Sequence, residues 1–190
     1  MEQKFFDNQT FEKINTEKNT LEKGEYDACI FKNCEMSNFD FSEFRFMNCE
    51  FIECNLSMVK LNKTVLNNIK FTDCKMLGLH FEDCSGFGLS FSFKNCTLNH
   101  SSFYKTKIKN TVFKNSELQE TDFSECDLTN SLFDTCKLTG AIFDNTNLEK
   151  ADFRTAINYS LDPEKNKIKK AKFSLPFVTG LLSKYDIVIE

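Results

Sequence analysis

The sequence lacks several features that would place it in a common class. It has no tryptophan and only two prolines in 190 residues. No apolar run reaches 18 residues, so no membrane-spanning helix is expected. Residues 1–18 mix acidic and basic side chains without an apolar segment, so we expect no secretory signal and a cytoplasmic protein. Phenylalanine is abundant instead, with 22 copies, which indicates that it serves as a repeated structural component.

An excess of charge of one sign is also missing. The formal net charge is −4, and the basic residues form no patch large enough to neutralise many phosphates, so we expect no direct binding of nucleic acid. The lysine-rich stretch 165–172 could bind an anionic surface or could be a solvated loop. Because Asp162 and Glu164 lie beside it and no aromatic residues are interspersed, the solvated loop is favoured.

Motifs for metal binding and catalysis are absent as well. The nine cysteines include no C-x-x-C pair, and their odd number argues against a disulfide framework. The two histidines, His80 and His100, have no catalytic partner fixed by a motif, and there is no glycine-rich phosphate loop. We therefore predict no metal site, no cofactor and no enzymatic activity.

What the sequence does contain is a period of five residues. From Phe93 to Phe153 every fifth residue is large and apolar, and the residue two positions earlier is almost always Cys, Ser, Thr or Ala. This period fits neither an α-helix nor a β-strand and is typical of a short structural repeat. All nine cysteines fall at the small position, so we predict that they are free thiols packed in the core.

The N-terminal residues follow the period only in part. In residues 1–20 the positions for small residues are occupied by Lys4 and Gln9, and a buried small position would not accommodate a lysine. We interpret this segment as a cap, formed by a short strand or hairpin laid over the open end of the repeat. The residues expected to cover that end are Phe5, Phe11 and Ile14.

The repeat itself falls into two segments, residues 21–92 and residues 93–173. The phase slips by two residues at 86–92, beside Gly86 and Gly88, which predicts a kink or bulge. Near residues 157–170 the count of five continues while the pattern is lost, so we predict a surface loop that interrupts the second segment.

The tail, residues 174–190, has a different character. Ser174 and Pro176 suit the start of a short helix. The apolar residues 187–189 predict a final strand.

The repeat resembles the pentapeptide-repeat family. Typical copies are CNLSM at residues 54–58, CDLTN at 126–130 and TNLEK at 146–150, and the resemblance covers about residues 21–173. It implies an all-β fold, a right-handed quadrilateral parallel β-helix in which four pentapeptides form each coil. It also implies that the large residue and the small residue two positions before it point inward, while the other three face water.

Four sides per coil lead to a prediction about the core. From Phe103 onward the large residues alternate between Phe and Leu or Ile, so Phe should occupy two opposite sides. The predicted ladders are Phe103, Phe123, Phe143; Phe113, Phe133, Phe153; and, in the first segment, Cys34, Cys54, Cys74.

Within the family, the glycine-marked division and the tail resemble the quinolone-resistance (Qnr) and microcin-immunity branch. That resemblance implies a homodimer joined through residues 174–190. It also implies a partner, DNA gyrase or a related type II topoisomerase, which the protein would bind by mimicking DNA and so protect from quinolones or toxins. The implied dimer interface comprises Phe177, Val178, Leu181, Leu182, Tyr185, Ile187 and Ile189.

A DNA mimic requires an acidic face, and the acids in the second segment are candidates for it. They are Glu117, Glu120, Asp122, Glu125, Asp127 and Asp134. An ordinary solvated polar surface is the alternative for these residues. The alternative for the whole protein is a repeat scaffold that binds an unrelated protein and has no topoisomerase role.

Overall fold

The computed structural model describes residues 4–185 and 187–188, which form a parallel β-helix. Two sides are sheets with strand orders β1-β3-β5-β7 and β11-β10-β9-β8-β6-β4-β2, and every pair is parallel. The strands are β1 (Lys4–Asp7), β2 (Thr10–Glu12), β3 (Gly24–Asp27), β4 (Ile30–Lys32), β5 (Arg45–Met47), β6 (Glu50–Ile52), β7 (Val65–Asn67), β8 (Ile69–Thr72), β9 (Phe91–Lys94), β10 (Val112–Lys114) and β11 (Leu132–Asp134). Along the other two sides, and beyond the last strands of the two sheets, single bridges join residues that are usually 20 apart, such as Asp122 with Ile142 and Lys107 with Asp127.

The five-residue period accounts for the core. All large residues from Phe93 to Phe153 are buried, as are the small residues two positions before them. Backbone hydrogen bonds run from each coil to the next, as from the Asp122 amide to the Ser101 carbonyl. The predicted β-helix and its inward positions are therefore confirmed.

Each corner of the coil depends on a residue in the left-handed region of backbone space. Examples are Asn95, Asn110, Asn115 and Asn130, with φ of 55°, 59°, 48° and 60°. Asparagine tolerates this conformation better than most residues. Asparagine recurs two positions after the large residue at these corners, whereas residues such as Lys105, Glu120 and Gly140 occupy others.

The predicted phenylalanine ladders are present and extend further than predicted. Phe103, Phe123 and Phe143 stack with centroids 5.2 and 5.1 Å apart. The opposite ladder is an unbroken stack of nine rings, Phe11, Phe31, Phe51, Phe71, Phe93, Phe113, Phe133, Phe153 and Phe173. The two ladders meet edge to face across the core, as Phe103 and Phe113 do at 86°, and both arrangements are favourable for aromatic rings.

The predicted cysteine ladder also extends by one residue. Cys34, Cys54, Cys74 and Cys96 occupy the same position on successive coils, and each thiol donates to a backbone carbonyl of the preceding coil, those of Phe11, Phe31, Phe51 and Phe71. All nine cysteines are free and buried, which confirms their place in the core.

The predicted N-terminal cap is instead the first coil of the helix. β1 pairs with β3 in a register that places Phe6 beside Tyr26, and β2 pairs with β4. Phe6 stacks on Tyr26 at 4.5 Å, whereas Phe5 points outward and is 60% exposed. Lys4 can occupy the inward phase because the described chain places no coil above it.

The predicted phase slip is a two-residue bulge in one coil. β9 pairs with β8 so that Phe93 lies opposite Phe71, a separation of 22 residues where other pairs are 20 apart. The extra residues follow a short 3₁₀ helix, Phe81–Asp83, and place Phe87 at the tip of a loop with 91% of its surface exposed. Gly88, at φ +70°, accepts a hydrogen bond from the Asn67 side chain that anchors this loop.

The predicted surface loop near 157–170 is only partly correct, because the chain keeps its coil there. Tyr159 and Leu161 are buried, and bridges continue from Lys137 to Ile157 and from Asn147 to Lys167. Asn166 replaces the usual small inward residue. It satisfies its buried amide by donating to the carbonyls of Phe143 and Asp162 and accepting from the Thr146 amide.

The tail contains the predicted helix, in the 3₁₀ form. It runs over Leu175–Leu181 with Ser174 as N-cap, and a second 3₁₀ turn covers Ser183–Tyr185. A Cβ at Gly180 would lie 2.2 Å from the Tyr159 carbonyl oxygen, so only glycine permits this close docking on the last coil. The predicted final strand is wrong for Ile187 and Val188, which have no strand pairing, and Ile189 lies outside the described residues.

No helix in the described chain has the length and apolarity needed to cross a bilayer.

Candidate functional site

The outward residues form four ladders of side chains, one for each side of the coil. The six acids proposed as one face do not share a ladder. Glu117, Asp122 and Asp127 belong to three different ladders of bridges, and Asp134 lies on the fourth side, at the end of β11. Glu120 and Glu125 occupy two different corners. The fold therefore distributes these acids around the rod and does not bring them together.

Most of these acids also have a cationic neighbour on an adjacent coil. Four of the six make an ion pair with lysine: Glu117 with Lys137 (2.9 Å), Glu125 with Lys105 (3.5 Å), Asp127 with Lys109 (3.2 Å) and Asp134 with Lys114 (3.4 Å). Hydrogen bonds from Thr135, Lys114 and Thr155 hold the pKa of Asp134 below its ordinary value. Their charges are therefore partly neutralised.

A different set of acids does share one side. We define the acid-rich side by the outward positions of one side of the coil, which are the bridge position occupied by Asp122 and the two residues that follow the next large residue. It extends from the coil of Glu82 to the coil of Glu164. Its carboxylates are Glu82, Asp83, Asp122, Glu125, Asp144, Asp162 and Glu164, opposed by Lys105, Lys165 and Lys184. On the same side nearer the N-terminus, Lys60 and Lys63 interrupt the acids Asp40 and Glu43.

At its far end, the acid-rich side is connected to the tail. Lys184 lies 2.7 Å from both the Asp162 and the Glu164 carboxylate. This ammonium group lowers the pKa of both acids, and the two carboxylates raise the pKa of Lys184. The Tyr185 hydroxyl donates to Glu164 at 3.0 Å. The tail is thus held by charge as well as by apolar packing.

The residues predicted for the dimer interface lie on both surfaces of the tail. Phe177, Tyr185 and Ile187 are exposed, while Val178, Leu181 and Leu182 are half-buried, and Leu181 packs against the chain's own core. A groove of about 460 Å³ runs between the tail and the last coil, lined in part by Tyr159, Phe177, Leu182 and Ile187. The apolar residues most exposed beside it, Leu175 and Val188, were not in the predicted set.

The histidines lie on the surface and contact acids. His80 lies 3.0 Å from Glu82, and His100 lies 3.2 Å from Glu120. Over residues 4–185 and 187–188, no three Cys, His, Asp or Glu side chains converge into a metal-binding group.

Sequence reasoning missed how the charges pair, although a signal was present. Opposite charges recur at a spacing of 20 residues, as in Glu25 with Arg45, Glu50 with Lys70 and Lys105 with Glu125. A search at this spacing would have paired Glu117 with Lys137, Glu125 with Lys105 and Asp134 with Lys114.

Comparison with known proteins agrees with this geometry. A family model for the pentapeptide repeat region matches residues 25–91 and 90–160. Two trypsin-treated variants of QnrB1, a plasmid-mediated fluoroquinolone resistance protein, have similar structures at 15% identity, with TM-scores of 0.63 and 0.64. One alignment covers 99% of this chain and 98% of the other, and the second covers both chains completely.

Full-length QnrB1 aligns over 97% of this chain and 100% of its own, at 16% identity and a TM-score of 0.46. A search of curated protein sequences gives no match. At such identities the structural likeness shows the fold alone, whereas the family model covers more than half of the chain. On that match and the observed coils, the chain belongs to the pentapeptide-repeat family.

Proposed function

We propose that this protein is a non-enzymatic interaction protein that binds DNA gyrase or a related type II topoisomerase by mimicking DNA, and that it protects the enzyme from quinolones. The structural likeness to QnrB1, a fluoroquinolone resistance protein, suggests this role. The charge of the acid-rich side is the observation that carries the proposal. The rod would present this side to the surface on which the enzyme binds DNA.

The charge density of the acid-rich side is of the same order as that of one strand of duplex DNA. It spans four coil spacings of about 4.8 Å, or about 19 Å, and carries seven carboxylates against three lysines. That amounts to one net negative charge per about 5 Å, compared with about 3.4 Å along one strand of duplex DNA. A row of carboxylates fixed on a rigid β-helix can therefore complement a surface built to bind one DNA strand.

A second candidate function is supported by a different observation. Lys60 and Lys63 interrupt the acids on this side, and four of the six acids first considered are ion-paired with lysine. Such mixed charge suits a repeat scaffold that recognises an unrelated protein partner.

Gyrase supercoiling with purified protein, with and without a fluoroquinolone, tests the first proposal. Rescue of drug-inhibited supercoiling is expected, and the triple variant Asp122→Asn, Glu125→Gln, Asp144→Asn should lose it. A matched control neutralises three acids on other sides: Glu35→Gln, Glu53→Gln and Asp73→Asn. No effect of the unmodified protein at micromolar concentration would favour the scaffold, and equal loss in both variants would exclude the acid-rich side as the site.

We also propose that two copies join through the tail to form a homodimer. Leu175 and Val188 are 88% and 87% exposed, and each is close in sequence to a residue that lines the groove of the tail, Phe177 or Ile187. Exposed apolar side chains around such a groove mark protein–protein contacts.

A further inference from the structure

The fold divides the lysine-rich stretch of the sequence between different sides of the rod. Lys165 and Lys172 contact Asp144 at 3.7 Å and Asp152 at 3.8 Å. Lys167, Lys169 and Lys170 face another side, and in the described chain none of the three has a carboxylate within ion-pair distance. Only some of these lysines are therefore neutralised.

Lysines from other coils join these three. The Lys150 amide donates to the Lys169 carbonyl at 3.0 Å, which places the two residues on adjacent coils at one corner. Lys107 and Lys167 belong to one ladder of backbone bridges, in which Asp127 and Asn147 lie between them. We define the lysine-rich side as Lys107, Lys109, Lys150, Lys167, Lys169 and Lys170, all of which are exposed.

The charge of this side is largely uncompensated. Its carboxylates are Asp127, which pairs with Lys109 at 3.2 Å, and Glu149. The other five lysines make no ion pair within the part of the chain that the structure describes. A protein with a net charge of −4 thus has one strongly positive side, formed by residues up to 63 positions apart (107 to 170).

The backbone beneath these lysines is fixed. The Lys167 amide donates to the Thr146 carbonyl at 3.0 Å, and the Leu148 amide donates to the Lys167 carbonyl at 2.8 Å. The buried Asn166 amide holds the same turn. Because the attachment points are already ordered, binding requires only the side chains to become ordered.

We infer that the lysine-rich side binds the phosphate backbone of duplex DNA without regard to sequence. The patch is elongated along the rod, extending over three coil spacings of about 4.8 Å, or about 14 Å, from Lys107 to Lys167. Duplex DNA is straight over this length, since its persistence length is about 50 nm. Lysines attached along this straight, ordered backbone can therefore contact several phosphates at once.

Two further features favour a duplex over other polyanions. The outward residues between the lysines are Asp127, Thr129, Asn130, Asn147 and Glu149, all polar or charged, so the patch offers no apolar side chain for insertion into a lipid surface. A flexible single strand would have to be ordered on the flat face, which adds an entropic cost that a duplex does not incur.

Fluorescence anisotropy of a short dye-labelled duplex, titrated with the full chain in the absence of any topoisomerase, tests this inference. Binding is expected to weaken about 500-fold between 50 and 200 mM salt, as for about one phosphate contact from each of the five unpaired lysines. The variant Lys150→Gln, Lys167→Gln, Lys169→Gln, Lys170→Gln should reduce the slope of log affinity against log salt by about 3.6.

The control variant Lys32→Gln, Lys60→Gln, Lys75→Gln, Lys94→Gln makes the same change in net charge on other sides and should keep most of the affinity. Equal loss in both variants would overturn the inference, because net charge alone would then explain binding. So would an absence of duplex binding at 50 mM salt, or tighter binding to phosphatidylserine–phosphatidylcholine vesicles than to the duplex. Since no topoisomerase is present, the result is independent of the supercoiling experiment.

Discussion

The rings of Phe113 and Phe133 stack with their centroids 4.9 Å apart and their planes inclined by 7°. Each ring is fully buried and lies one coil from the next. This contact is repeated through the nine-ring ladder, so each ring supports two neighbours. Stability is therefore shared along the rod, as expected for a repeat protein in which each coil contacts only adjacent coils.

The first prediction concerns this stack. Phe133→Ala should lower the free energy of unfolding by about 3–5 kcal/mol, because it removes a buried ring and leaves a cavity. Phe87→Ala is the matched control, since Phe87 is 91% exposed, and it should change stability by less than about 0.5 kcal/mol. Denaturant unfolding followed by circular dichroism measures both. Similar losses in the two variants would contradict the assignment of inward and outward positions.

The second prediction concerns a gap in the core. Leu61 lies between Phe41 and Phe81, which occupy the same position on the coils before and after it. A cavity of about 20 Å³ lies among Leu56, Leu61 and Leu66. Leu61→Phe should fill it and stabilise the protein by about 0.5–2 kcal/mol.

The same substitution in a filled layer should have the opposite effect. Leu118 is fully buried in a ladder with Leu98 and Leu138, so Leu118→Phe should cost about 1–3 kcal/mol through overpacking. Thermal unfolding of Leu61→Phe and Leu118→Phe measures the two changes in stability. A destabilised Leu61→Phe variant would show that the space is too small for a ring.

The third prediction concerns the thiols. Burial raises the pKa of Cys49, Cys126 and Cys136 to about 12. A thiol-specific reagent at pH 8 should therefore label none of the nine cysteines in the folded protein and all nine after denaturation. Rapid labelling of the native protein would contradict the closed core.

The same thiols should make the protein sensitive to alkali. A group whose pKa is higher in the folded state contributes stability below its unfolded pKa, and loses that contribution as the pH rises toward the folded value. The free energy of unfolding should therefore decrease from about pH 8.5 upward. Denaturant midpoints measured across this pH range test whether the free energy of unfolding decreases as the pH rises.

The fourth prediction concerns the attachment of the tail. Lys184 lowers the pKa values of Asp162 and Glu164. The two carboxylates therefore stabilise the fold above the pKa values they have in the unfolded chain, about 4. This stabilisation is lost as the pH falls through their lower pKa values in the folded protein. Hydrogen exchange of the Leu161 amide, which donates to the Gly180 carbonyl at 3.0 Å, should accelerate at acidic pH once corrected for its intrinsic rate. Lys184→Met should remove most of this dependence, whereas Lys94→Met should leave it unchanged.

The fifth prediction concerns oligomeric state. Leu175→Lys combined with Val188→Lys should convert the proposed dimer into a folded monomer, because both side chains are exposed and their loss leaves the core intact. Leu181 is unsuitable for this test, since it packs against the core of its own chain. Sedimentation of the parent and the variant measures the change. A monomeric parent protein would remove the proposal altogether.

The sequence by itself determined the parts of this protein that repeat locally. Phe123 and Cys126 could be assigned to the core because burial at each inward position depends only on the five-residue period, and both are buried. The ladders followed once the family resemblance implied four sides per coil, which place residues 20 apart in contact, as the stacking of Phe103 on Phe123 shows.

Only the tertiary structure decided which surface charges face the same side. The side on which a residue lies depends on the number of residues wound before it, and the two extra residues at the bulge shift every later position, so that Lys75 meets Thr97 at a spacing of 22. Asp122 and Asp127 are close in sequence yet lie on adjacent sides, whereas Lys150 and Lys169 share a corner. The acid-rich and lysine-rich sides are therefore products of the winding, which a local pattern of residues does not specify.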